Sequence, residues 1–222
     1  DSIVGIDLGI KTLATCSDGI IYENPKALKT NLRRLKRKSR QVSRKQKGSK
    51  NRQKAKLNLA KLHYKISNIR KDTLHKTTSQ IINENQVIVL EDLRVSNMMK
   101  NHKLALAISD VGFYEFRRQI EYKAKWYGRK VLFVDTFYPS SKLCSGCGWK
   151  NSELTLTDRV FVCKVCDVRI DRDMNAAINL KQYYTASSAE IYASGDRSSL
   201  DESSVSLSLN EESNMKSSFR FL

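Results

Sequence analysis

Apolar positions along the chain fall first into three short, β-rich runs at 3–7 (IVGID), 12–16 (TLATC) and 19–22 (GIIY), split by Gly9 and by Asp18-Gly19. Runs of this length between turn residues predict a meander of three antiparallel strands. Between Pro25 and about Ile82 the period becomes that of a helix. Leu28, Leu32, Leu35 and Val42 recur in one stretch, and Leu57, Leu59, Leu62, Ile66 and Ile69 in the next. Gly48-Ser49 marks the turn between two long helices whose apolar stripes face each other. The continuous runs 87–90 (VIVL) and 131–134 (VLFV) predict strands covered on both faces. Between them, Asp110 is placed to cap a helix reaching about Tyr127, with Val111, Phe113, Phe116, Ile120 and Ala124 at helical spacing and Gly128 as its stop. Pro139-Ser140-Ser141 leads into a cysteine-rich segment, after which a short helix runs from Met174 to about Gln182.

This pattern divides the chain into a mixed α/β core over 1–139 with a helical hairpin at about 25–82, a cysteine ribbon at 140–170, a last core helix at 171–184 and a tail at 185–222. The tail is rich in Ser, Glu, Asp and Asn and reads as disordered, with Phe219 and Phe221 near its end. The chain opens at Asp1 without a Met and its first strand begins by Ile3, so a truncated start of something larger is expected. No stretch approaches the ~18 apolar residues of a membrane span, and no secretory signal is present. No membrane partner is expected.

Charge narrows the partner. The chain carries 40 Lys+Arg against 23 Asp+Glu, a formal +17, and the excess is local. From Asn24 to Lys71 there are 19 basic residues and no acidic one, leaving 21 against 23 elsewhere. A stripe of this kind is the footprint of a protein that neutralises phosphates; a solvated helix face or basic arm would read the same. Its candidates for nucleic-acid contact are Arg33, Arg34, Lys36, Arg37, Lys38, Arg40, Arg44, Lys45, Lys47, Lys50, Arg52, Lys54 and Lys56.

Four of the five cysteines, Cys144, Cys147, Cys163 and Cys166, form C-x2-C, fifteen intervening residues, then C-x2-C. Each pair can point two thiolates at one ion, with an intervening hairpin returning the second pair to complete a tetrahedral zinc shell. Four thiolates leave no open position, so one Zn²⁺ would fold the segment rather than activate water. Disulfides are the alternative, but a basic chain without a secretory signal points to a reducing compartment, cytoplasmic and nucleoid-associated. Cys16, in an apolar strand, reads as a small buried hydrophobe.

Three acids stand where α/β folds assemble sites. Asp7 ends the first strand in G-I-D-L-G, where Gly5 and Gly9 permit close approach of a second backbone. Glu91 ends a buried strand in V-L-E-D-L, and Asp173 opens the last helix in D-R-D-M-N-A-A. Meeting at one crevice, they would repel unless hard divalent cations neutralised them, and oxygen donors select Mg²⁺ or Mn²⁺. Two such ions, roughly 4 Å apart, support in-line phosphoryl displacement by water. Each acid has a plain reading: a turn cap at Asp7, an exposed strand end at Glu91, a helix N-cap at Asp173. Asp92 and Asp171 are neighbours that spacing alone does not separate from them.

Together, IVGIDLGIKTLAT, VIVLEDL, FYPSSKLCSGCG with the second C-x2-C behind it, and DRDMNAAINL resemble the RuvC-like nuclease half of the TnpB family, the OrfB-type proteins of insertion sequences. The likeness runs in order from Asp1 to about Tyr184. It implies an RNase H-like (RuvC-like) α/β fold with a long helical insertion and an inserted four-Cys zinc ribbon. It implies an endonuclease guided by an RNA from the transposon end to a DNA target beside a short adjacent motif, with no small-molecule cofactor. Asp7, Glu91 and Asp173 would be the catalytic, metal-binding acids. Asp173 is preferred over Asp171 because the family's acid stands two residues before the Asn of the D-x-N-A-A run, here Asn175. All three acids are present, which implies a cutting member rather than a guided repressor. The family's amino-terminal recognition portion, a barrel-like wedge and a helical lobe, is expected to be missing from this chain. A non-catalytic nucleic-acid-binding module and a strand-transferring transposase on the same fold are the rival readings.

Overall fold

β1 (Ile3–Leu8) lies at the centre of a five-stranded sheet in a computed structural model that describes residues 2–155 and 157–193, with side chains to residue 187. β2 (Thr12–Cys16) and β3 (Ile21–Glu23) extend the sheet antiparallel on one side. β4 (Val87–Glu91) and β5 (Lys130–Val134) extend it parallel on the other, giving the order β3-β2-β1-β4-β5. Residues up to Ala186 form one compact unit. Among the described residues no helix is long and apolar enough to cross a membrane.

Strand parity assigns the two faces of the sheet, because successive side chains point to opposite sides. Val4 and Ile6 of β1 and Ile88 and Leu90 of β4 join the main core, where α2 (Lys50–Glu84), α4 (Ala105–Val111) and α5 (Phe113–Tyr127) contribute Leu74, Ile81, Ile108, Phe116 and Ile120. Side chains of this kind each stabilise by roughly 1.5–3 kcal/mol when fully buried. Val87, Val89 and Val134 face the other way, against Leu180 of α6 (Arg172–Ala193). Gly5 and Asp7 belong to that second face.

Gly5 is why α6 lies so close. A Cβ there would stand 2.1 Å from the Ala177 carbonyl oxygen and 2.5 Å from the Lys181 amide nitrogen. Without a side chain on β1 at this point, helix backbone rests directly on strand backbone.

α1 (Ala27–Ser43) packs against the first half of α2 through Leu35, Leu62 and Ile66, a core separate from that of the sheet. The turn between them holds Gly48 at φ +84°, and the Ser49 hydroxyl caps α2 by accepting from the Arg52 amide. α2 then joins α5 through a buried polar seam. Lys123 Nζ donates to the His75 carbonyl and to the Thr78 and Ser79 hydroxyls at 2.7–2.9 Å, and Thr78 donates to Gln119. Burial holds the Lys123 ammonium below the usual lysine range.

Three local expectations are corrected. Asp110 does not start a helix; it lies near the end of α4, and its carboxylate caps α1 by accepting from the Leu28 and Lys29 amides at 2.8–3.0 Å. Gly112, at φ +77°, separates α4 from α5, so one apolar period spans two helices. The last helix begins at Arg172 and continues past Gln182 to Ala193, over part of the expected tail. The remainder of that tail, with Phe219 and Phe221, lies outside the described residues. α3 (Val95–Met99) follows β4.

Candidate functional site

Asp7 and Glu91 sit side by side at the carboxyl ends of neighbouring parallel strands. β1 and β4 pair Gly5 with Val89 and Ile6 with Leu90, so the next step of the register brings Asp7 beside Glu91, both on the α6 face. Asp173 occupies the first turn of α6, one helical turn before the Ala177 that touches Gly5. The three sequence-predicted acids therefore gather at one corner, and Asp7 feels the charge of the other two. The Asp7 carboxyl is pushed well above the usual range, first by burial and then by the charges of Asp173 and Glu91, against a smaller opposing pull from Arg172. Burial, helped by Asp92, raises Glu91.

Their neighbours have other tasks. Asp171 is the helix cap, its carboxylate accepting from the amides of Asp173 and Met174 at 2.9 and 3.1 Å, which takes that role away from Asp173. Asp92 pairs with Arg117, whose guanidinium also covers the Phe133 ring. Arg172 lies 3.2 Å from the Asp173 carboxylate, both side chains largely buried.

A second cluster of metal-type donors stands behind α6. Cys144 and Cys147 lie on a knuckle closed by a bridge between Leu143 and Lys150, and Cys163 and Cys166 lie on the turn between β6 (Val160–Val162) and β7 (Arg169–Asp171). The hairpin thus carries the second pair at its tip instead of running between the pairs. The four Sγ atoms all lie within 4.8 Å of one another, with Cys144 to Cys166 at 3.5 Å and Cys147 to Cys163 at 3.6 Å. Disulfide sulfurs would be ~2.05 Å apart. Thiolates ~2.3 Å from a tetrahedral ion would be roughly 3.8 Å apart, so the spacing suits a closed metal shell such as zinc's. Among the described residues no group of carboxylates draws together as tightly.

Sequence reasoning missed what joins the two clusters. Asn175 and Asn179, buried on α6, both donate to the Leu143 carbonyl at 2.6–2.7 Å, and Asn175 accepts from the Ser145 amide beside Cys144. Asn179 also donates to the Ser140 carbonyl at 2.7 Å. The cysteine knuckle is thereby fixed to the helix that carries Asp173. The available signal was two amides four residues apart among Ala176, Ala177 and Leu180, polar groups on a buried helical face.

The basic candidates line the hairpin. Arg33, Arg34, Lys36, Arg37, Arg40, Arg44, Lys45, Lys47, Lys50, Lys54 and Lys56 are exposed, whereas Lys38 and Arg52 are half-buried. Thr30, Arg33, Arg34, Arg37 and Arg40 line an open groove of about 500 Å³ along α1. Four of its five lining residues are cationic, so its local potential is positive.

Residues 1–102 match a family described as a probable transposase, OrfB of IS605, and residues 113–180 match the Cas12f1-like TNB domain. Between them the two matches take in most of the chain, which is similar to the OrfB/TnpB family. The chain is 46% identical over 186 residues to a Streptomyces pristinaespiralis protein named "Putative RNA-guided DNA endonuclease", covering 84% of this chain and 46% of that protein. It is 40% identical over 194 residues to the "Putative RNA-guided DNA endonuclease InsQ" of Escherichia coli (strain K12), covering 81% and 48%. The chain thus spans about half the length of the curated relatives it matches. It shares its fold with a chain of the "Cryo-EM structure of the Cas12f1-sgRNA-target DNA complex", at a TM-score of 0.60 and 21% identity over 81% of this chain and 49% of that one.

Proposed function

We propose that this chain is the nuclease half of an RNA-guided, divalent-metal-dependent DNA endonuclease of RNase H-like (RuvC-like) fold. The observation that carries the reading is the meeting of Asp7, Glu91 and Asp173, from two adjacent strand ends and one helix start, at a corner where burial and like charge raise Asp7. Half-buried carboxylates held against their own repulsion fit a donor set for hard cations, Mg²⁺ or Mn²⁺. When bound, such ions would supply Lewis acidity toward a phosphodiester and lower the pKa of water. The chain's own part is to place the three acids. β1 and β4 fix Asp7 and Glu91 in register, Asp171 caps α6, and Gly5 lets α6 approach until Asp173 reaches the same corner.

The four cysteines would hold one structural Zn²⁺, which through Asn175 and Asn179 would keep α6 in place. The exposed arginines and lysines of the hairpin would grip the backbone of guide RNA, target DNA or both, with sequence left to base pairing. The names of the relatives support the guided reading.

The test is cleavage of a guide-matched DNA by the full-length protein with Mg²⁺. Asp7→Ala or Glu91→Ala is expected to abolish cutting while leaving salt-sensitive binding intact; undiminished cutting would remove the assignment. A binding module without catalysis is the second reading. The looser spacing of the carboxylates and the ion pair of Asp173 with Arg172 favour it. It predicts binding but no metal-dependent products.

A further inference from the structure

We infer that Phe137, backed by Arg94, is a stacking platform for an unpaired nucleobase of the strand held at the carboxylates. This deepens the nuclease reading above and rests on it. A single exposed aromatic is ordinary on a protein surface, but Phe137 is set apart by its exposure, by the anchored turn and cation beneath it, and by its place. It is 80% exposed, the most exposed large apolar side chain among the described residues. The Arg94 guanidinium lies over its ring, 5.6 Å from the centroid, so a cation covers the ring on one side while most of it stays in solvent.

The turn that carries the ring is pinned through its backbone and its neighbours. The Asp135 carboxylate accepts from the Phe137 amide at 2.7 Å and the Asp135 carbonyl accepts from the Tyr138 amide at 2.9 Å. The Thr136 hydroxyl donates to the Asp92 carbonyl, tying this turn to the loop after β4. Behind it, Tyr138 packs edge-on against Tyr183 of α6. The base of the ring is therefore in place before any ligand arrives, with Arg94 as the cation over its face.

Its place in the fold is the carboxyl end of the sheet. Glu91 pairs with Val134; Arg94 stands three residues beyond the first and Phe137 three beyond the second. Three residues reach at most ~10 Å and paired strands lie ~5 Å apart, so the platform is within a few nucleotides of a phosphate at Glu91. Every base has a π-face, so such a ring accepts any sequence, as a guided enzyme with variable targets requires, and Arg94 adds attraction for the backbone.

The experiment uses the full-length protein with its guide RNA, and strands in which one nucleotide at a time beside the cut is made abasic. The wild type is expected to cut roughly ten- to hundredfold more slowly when one particular position is abasic. Phe137→Ala should lose the same factor on the intact strand and be indifferent to that abasic position, Phe137→Trp should recover, and none should change the thermal midpoint. A wild type indifferent to every abasic position, or Phe137→Ala cutting normally, overturns the platform. A parallel measurement with Ca²⁺ walks 2-aminopurine, which dims on stacking, along the bound strand. If no strand is ever cut but one position is dimmed in the wild type and not in Phe137→Ala, the nuclease reading falls and the platform stands. Equal fluorescence in both proteins at all positions overturns the platform.

Discussion

The two donor clusters of this chain differ in how far the fold has prepared them. The four cysteines stand at tetrahedral spacing, held there by two knuckles of hydrogen-bonded backbone. The three acids are brought to one corner by strand register and a helix start, yet remain less tightly gathered, and the charge that would recruit a cation pushes Asp7 upward. Backbone geometry can finish a soft-donor site in advance; a hard-donor site can only be brought to the edge of assembly.

That contrast can be broken most severely at the ribbon. Cys163→Ser is expected to lose bound zinc and, with it, the order of the segment, because apparent zinc affinities of ~10–16 kcal/mol are folding energy in small metal domains. Metal analysis and limited proteolysis would read it, and Asp7→Ala should leave zinc content untouched. Next is the strand that lets the acids meet. Gly5→Ala places a methyl group against the Ala177 carbonyl and is expected to cost about 3 kcal/mol in denaturant unfolding, the upper end for overpacking. It should also reduce cleavage although no acid has changed.

A smaller effect is expected at the link between the clusters. Asn175→Ala removes bonds to Leu143 and Ser145 and should cost about 1–3 kcal/mol, with faster amide exchange in the 143–146 knuckle. Smallest, and opposite in sign, is Asp7→Asn in metal-free protein. A carboxyl raised by folding is tolerated below its unfolded pKa and weakens the fold as pH rises through the raised value. The variant should therefore match the wild type near pH 3 and melt higher at pH 7, and added Mg²⁺ should narrow the gap.

Much of this was legible because it is periodic or local. Alternation and continuous apolar runs marked the strands, helical spacing marked the hairpin and α5, and the cysteine spacing marked its own cluster. Gly5 also announced a close approach, although not which element would approach. What escaped depends on partners far along the chain. Asp110 looks like a local cap and instead caps α1, more than eighty residues earlier. Gly112 breaks a helix without breaking its apolar period. Asn175 and Asn179 serve the carbonyls of a segment more than thirty residues away. Lys123, charged in composition and buried in fact, is satisfied by three neutral oxygens from α2 that no linear pattern reveals.

The longest element gives these parts a mechanical relation. α2 runs 35 residues without a proline, roughly 50 Å of continuous rod. One end is bound to the arginine-lined helix through Leu62 and Ile66; the other is seated under the sheet through its own Leu74, Ile81 and Ile82, with Lys123 as a rivet. A polymer pulling on the outer end would load the inner one as a beam loads its footing, so grip at the hairpin and alignment at the strand ends need no flexible hinge between them.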